Sequence, residues 1–163
     1  MMTDTDVPAA IDALQTRYIA ALDDRNMEAW LATFSKDPDA SYTCTTAESE
    51  EAGLPLALIL DDTYTRLQDR VTYVTQIWAG TFADYRTRHF IQRTAARPVS
   101  DNQYDVETNF MVACTPVETG RTELFMTGMY FDRVVVDSND ALFLAKKAVM
   151  DSSMVERFMA YPL

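Results

Sequence analysis

The run QYDVETNFMVACTPVETGRTELFMTGMYFDRVVVDSNDALFLAKKAVM, residues 103–150, decides the fold. In its first third Tyr104, Val106, Phe110, Val112 and Cys114 alternate with Asp105, Glu107 and Asn109, the period-two pattern of a strand with one buried face. Pro116 closes that strand, and Gly120 in Val117-Glu118-Thr119-Gly120 offers a positive φ for the return. The second run sets Leu124, Met126, Tyr130, Val134 and Val136 on one face. Phe125, Met129 and Phe131 make the other face apolar too, so both sides of the sheet are expected to meet something. Asp137-Ser138-Asn139-Asp140 is the next turn. A third strand from Leu142 to Met150 is expected to put Phe143 and Val149 on one face and Leu142, Leu144 and Met150 on the other. Together the three form an antiparallel meander.

Upstream of the meander the apolar period changes from two to 3.6. Ile11, Leu14, Tyr18 and Leu22 recur at helical spacing behind Pro8, with Asp6 and Asp12 near the positive end of the helix dipole. Asp23-Asp24-Arg25 interrupts the pattern. Asn26 can cap a short second helix carrying Met27, Trp30, Leu31 and Phe34 on one stripe. Ala40 to Thr46 reads as a strand and Glu48 to Glu51 as an acidic loop; Leu54 to Leu60, broken by Pro55, fits a strand or a helical turn equally. A third helix, capped by Asp61 or Asp62, is expected over Tyr64, Leu67, Val71 and Val74, followed by a bend at Trp78-Ala79-Gly80. Tyr85 to Gln92 is an Arg-rich strand, and Ala95 to Asn102, with Pro98, a loop. Helices first and a meander last predict an α+β domain spanning residues 1–163, with the N-terminal helices packed in a strongly curved antiparallel sheet; such a sheet can form a cone with a small-molecule-sized hollow at its wide end.

Composition narrows the function. A net charge of −11 over 163 residues disfavours nucleic acid and anionic membrane as partners. The charge is uneven: residues 1–62 hold thirteen Asp and Glu against three Lys and Arg, whereas residues 63–163 hold twelve against eleven. Arg66, Arg70, Arg86, Arg88, Arg93 and Arg97 cluster with only Asp69 and Asp84 among them, a distribution that suits either a solvated face or head-to-tail docking of copies. Cys44 and Cys114 both fall in apolar alternation, as reduced core residues of a cytoplasmic protein do. The sequence shows neither a signal peptide nor an apolar run of membrane-spanning length.

Catalytic signatures are sparse. One histidine and two separated cysteines cannot build a zinc site, an iron–sulfur centre or a two-histidine iron site. The four single glycines form no phosphate loop, and no Gly-x-Ser-x-Gly occurs. A tyrosine–carboxylate pair inside the cone, as in an isomerase or dehydratase, is the chemistry that the residue types still permit, beside a plain ligand-binding role. His89 shares a strand face with Tyr85, Thr87 and Ile91, opposite Arg86, Arg88 and Phe90, and reads first as a buried, hydrogen-bonded structural residue.

The element order, with Trp30-Leu31-Ala32-Thr33-Phe34, Asp69-Arg70-Val71, Arg86-Thr87-Arg88-His89, Gly128-Met129-Tyr130-Phe131-Asp132 and the closing Met159-Ala160-Tyr161-Pro162-Leu163, resembles the small (β) subunit of aromatic-ring-hydroxylating dioxygenases. Those subunits share the cone-shaped fold of nuclear transport factor 2 and scytalone dehydratase, and the members most similar in feel serve anthranilate, salicylate and terephthalate. The resemblance implies a partner large (α) subunit carrying a Rieske 2Fe-2S cluster and a mononuclear iron. It implies no catalytic, cofactor or metal residue in this chain, which would assemble an α3β3 hexamer and self-associate as a trimer. Arg70, Arg86, Arg88, His89, Tyr161 and Leu163 are the residues expected at subunit contacts. The apolar tail of Val155, Phe158, Met159, Tyr161 and Leu163, with only Glu156 and Arg157 charged, is expected to be docked there.

Overall fold

A computed structural model describes residues 6–81, 84–138, 140–155 and 159–163. Asn139, Glu156, Arg157 and Phe158 lie outside the described residues, as does the side chain of Asp6. The described elements run α1 (Asp6–Asp23), α2 (Met27–Leu31), β1 (Ser41–Thr46), α3 (Ala47–Glu51), β2 (Ile59–Asp61), α4 (Tyr64–Thr72), a wider π-helical turn (Tyr73–Ile77), β3 (Tyr85–Pro98), β4 (Gln103–Pro116), β5 (Glu123–Asp137) and β6 (Asp140–Met150). This is the expected α+β architecture. The sheet has six strands in the order β2-β1-β6-β5-β4-β3, all neighbours antiparallel except β1 and β6, which run parallel from Ser41 beside Ala145 to Thr46 beside Met150.

Three bulges bend the sheet and decide which side chains face inward. Thr94 is the extra residue in β3, Phe125 in β5 and Leu144 in β6. Each reverses the alternation beyond it, and this corrects two expectations. Leu124 lies outward and exposed rather than beside Met126. Phe143 shares the inner face with Lys146, Ala148 and Met150, not with Val149. The Thr94 bulge also explains why β3 continues to Pro98 where a loop was expected: it breaks the period, and Pro98 is tolerated because β3 is an edge strand.

Local chemistry adjusts the helical segments. Thr63, not Asp61 or Asp62, caps α4 by accepting from the Arg66 N–H, which leaves Asp61 to pair with Arg70. The acidic 48–51 stretch is the helical turn α3, capped by Thr46. The second helix stops at Leu31, and Phe34 instead forms an isolated parallel bridge with Phe143. Residues 52–58 cross the surface as an exposed apolar segment before the short β2. Gly120 does take a positive φ of 62° in the β4–β5 turn.

The core lies between the concave face of the sheet and α1. Tyr18 makes edge contacts with Phe34, Tyr130 and Phe143, Trp30 packs on Phe34 and Tyr42, and Phe110 stacks on Tyr130 at 4.4 Å. Lys146 is buried among these rings beside Asp132. Cys44 and Cys114 are both buried and unlinked by a disulfide; burial pushes the Cys44 thiol up to about 12, which keeps it protonated and inert.

Candidate functional site

The mouth of the cone, between the end of α1, strands β3 to β5 and the chain's last residues, holds a hollow lined by polar groups of Arg25, Thr87 and His89 among apolar side chains. Its construction begins with a helix stop. The C-terminal turn of α1 is closed by N–H groups of Asp24, Arg25 and Asn26 donating to the carbonyls of Ala20, Leu22 and Ala21. Arg25 takes the left-handed conformation, φ 54°, that glycine usually fills at such a stop. The turn leaves Asp23 facing β3 and sends the Arg25 guanidinium over the Tyr85 ring at 4.7 Å, where it also donates to Asp84 and to the Tyr85 carbonyl.

Asp23 grips β3 through three donors. Its carboxylate accepts from Thr87 Oγ1 at 3.0 Å, from the His89 backbone N–H at 3.1 Å and from His89 Nδ1 at 2.6 Å. Partial burial alone would raise the Asp23 carboxyl; the His89 and Thr87 hydrogen bonds outweigh it and hold the group below the usual carboxylate range. With Nδ1 committed to an ionised carboxylate, the opposite ring nitrogen, Nε2, is buried without a hydrogen-bond partner among the described residues; the His89 side chain is only 3% exposed, and the residue is one of those lining the hollow. The hollow measures about 40 Å³ and is lined mainly by apolar groups of Leu22, Val112, Phe125, Met159 and Tyr161.

The tail forms part of the wall of this hollow. Leu163 N donates to Tyr42 Oη at 2.9 Å, and Tyr18 Oη donates to Leu163 O at 2.6 Å. Burial holds both phenols well above their ordinary titration range, so they stay protonated as donors. The apolar tail is therefore docked as expected, but on this chain's own core.

The six residues expected at subunit contacts divide in two. Arg86 and Arg88 are exposed on the outer face of β3, beside Phe90 and, across the strand pair, Met111, both exposed. Arg70 makes a bidentate pair with Asp61, while His89, Tyr161 and Leu163 belong to the cone interior. Sequence reading missed Asp23, which looked like a helix-breaking charge; its partner lies 66 residues away, and no local pattern signals such a pairing.

Residues 17–157 match the family of ring-hydroxylating β subunits. The chain is 29% identical over 150 residues to the anthranilate 1,2-dioxygenase small subunit of Burkholderia cepacia, covering 92% of this chain and 90% of that protein. It is 28% identical over 153 residues to the β 2 subunit of the terminal oxygenase component of terephthalate 1,2-dioxygenase from Comamonas sp, covering 94% and 96%. A solved β subunit assigned to an aromatic-ring-hydroxylating dioxygenase of Novosphingobium aromaticivorans superposes with a TM-score of 0.77 at 27% identity, covering 90% of each chain. The chain belongs to the ring-hydroxylating β-subunit family, and its cone is of the scytalone dehydratase-like kind.

Proposed function

We propose that this chain is the non-catalytic, assembling subunit of a cytoplasmic ring-hydroxylating dioxygenase acting on a monocyclic aromatic acid. The observation that carries the reading is the family match across residues 17–157. The residue inventory supports it: the sequence has a single histidine, and among the described residues no three His, Cys, Asp or Glu are grouped to hold a metal. Such residues fit neither a Rieske cluster nor a mononuclear iron. Both centres are therefore assigned to a large α subunit, with which this chain forms an α3β3 hexamer around its own trimer. The relatives named for anthranilate and terephthalate support an aromatic acid as substrate. Arg86 and Arg88 supply the charged outer surface of the contact, while Arg70, His89, Tyr161 and Leu163 support it from within the fold.

Co-expression with a large oxygenase subunit from the same source tests this reading. The two chains are expected to co-purify in equal number as a hexamer by native mass spectrometry, with all iron on the large chain and turnover of a benzoate-type acid. A stoichiometric iron on this chain alone, or two chains that never associate, would overturn it.

A further inference from the structure

We propose that the mouth of the cone is a binding site for a small phenol, whose hydroxyl donates to His89 Nε2. The inference goes beyond the assembly role and stands on the geometry of this chain alone. A buried nitrogen without a partner costs free energy, and His89 Nε2 has none among the described residues; it is held at a fixed angle because Asp23 and the β3 backbone lock the ring from the other side. The ionised Asp23 holds a proton on Nδ1, so Nε2 is an acceptor whenever the ring carries that one proton alone, and the carboxylate behind it strengthens its lone pair. An acceptor of that kind selects a good donor. A phenol hydroxyl is a far more acidic donor than an aliphatic one, and its ring suits walls made by Phe125, Tyr161, Met159 and Leu22.

The hollow already exceeds what a single water requires, though a six-membered ring needs more room than about 40 Å³. For a ring to enter, the lining side chains Met159 and Tyr161 must move aside. Both are only half buried, and Arg25 meets the Tyr161 ring at 5.9 Å, a loose cation–π contact. Leu163, by contrast, is tied to Tyr18 and Tyr42, so the two side chains can swing aside while the end of the tail stays anchored.

His89 is the only histidine, so isotope-labelled histidine reports its two ring nitrogens without further assignment. The full chain is titrated with 4-fluorophenol and, in parallel, with fluorobenzene. A saturable shift at Nε2 with the phenol in the millimolar range or tighter, little change at Nδ1 and no Nε2 shift with fluorobenzene are expected. Asp23→Asn, which keeps the shape but no longer fixes the tautomer, is expected to weaken phenol binding roughly tenfold. No saturable Nε2 shift in the wild-type chain would mean that water alone meets the nitrogen, and would overturn the proposal. Equal binding of fluorobenzene would overturn it too, since the hydroxyl would then play no part. Should Asp23→Asn fail to fold, the wild-type titration still decides.

Discussion

Lys146 Nζ lies 2.9 Å from Asp132 Oδ2 in the middle of the core, with neither side chain more than 1% exposed, and the ammonium is 3.6 Å from the centre of the Tyr130 ring. Burial pushes the Asp132 carboxyl up and the Lys146 ammonium down, while the attraction between the two opposes both movements. Each group thus depends on the other to remain charged out of water. Lys146→Met is expected to cost about 3–5 kcal/mol in urea unfolding, because it leaves Asp132 uncompensated. Adding Asp132→Leu is expected to restore most of that loss; a double variant as unstable as the sum of its parts would show that the two groups act independently.

Gly128 sits where β5 crosses under Phe110. A Cβ there would stand 2.2 Å from the Val149 carbonyl oxygen and 2.8 Å from the Phe110 ring, and a backbone carbonyl cannot turn away as a side chain can. Gly128→Ala is expected to cost about 2–3 kcal/mol, lowering Tm by roughly 4–12 °C for a chain of this size. Calorimetry checks it, and an unchanged Tm would place β5 farther from β6 than the register implies.

The pH dependence of stability follows from Asp23. Its folded carboxyl titrates below the usual value, so the stabilisation it brings is present above about pH 4 and is lost as pH falls through and below that point. At pH 7 Asp23→Asn is expected to cost about 1–3 kcal/mol. The gap between wild type and variant should narrow in urea midpoints as pH falls below about 4. A gap that widens on acidification would reverse the assigned sign.

Leu163 is buried in the core and bonded to Tyr18 and Tyr42. Leu163→Ala is expected to cost about 2–5 kcal/mol in the isolated chain. Deleting residues 161–163 should cost at least as much and impair assembly through the weakened fold. If the deletion leaves the unfolding midpoint unchanged yet abolishes co-purification with the large subunit, the tail acts across the interface instead.

Arg86 and Arg88 are exposed on β3. Reversing both, Arg86→Glu with Arg88→Glu, is expected to weaken assembly on the order of tenfold, most at low salt where surface attraction is least screened. Light scattering across a salt series reads this directly. Equal assembly at every salt concentration would remove β3 from the contact.

Most of the fold was legible because the 103–150 meander alternates strongly and α1 carries a clear helical stripe. The errors about which strand residues face inward share one cause: a bulge adds a residue without leaving a mark in the pattern. Nothing local distinguishes Lys146 from Lys147, yet the extra residue at Leu144 turns the first into the core and leaves the second outside to pair with Glu50. Asp23 was hidden for a different reason. A single residue's partner 66 positions away leaves no periodic trace, and the left-handed stop at Arg25 that aims it uses none of the glycine or asparagine expected there.

The parallel pairing of β1 with β6 imposes a timetable on synthesis. Strands β3 to β6 can zip hairpin by hairpin as they emerge, but Ser41 must wait for Ala145, about a hundred residues later. At ribosomal speeds of ~5–20 residues per second that is a delay of roughly 5–20 s, during which Tyr18 and Phe34 lack the Phe143 and Tyr130 surface that will cover them. The newborn chain therefore carries its stickiest aromatic surface at its head and the strand that shields it at its tail, so a ribosome stalled before residue 141 releases a fragment primed to aggregate.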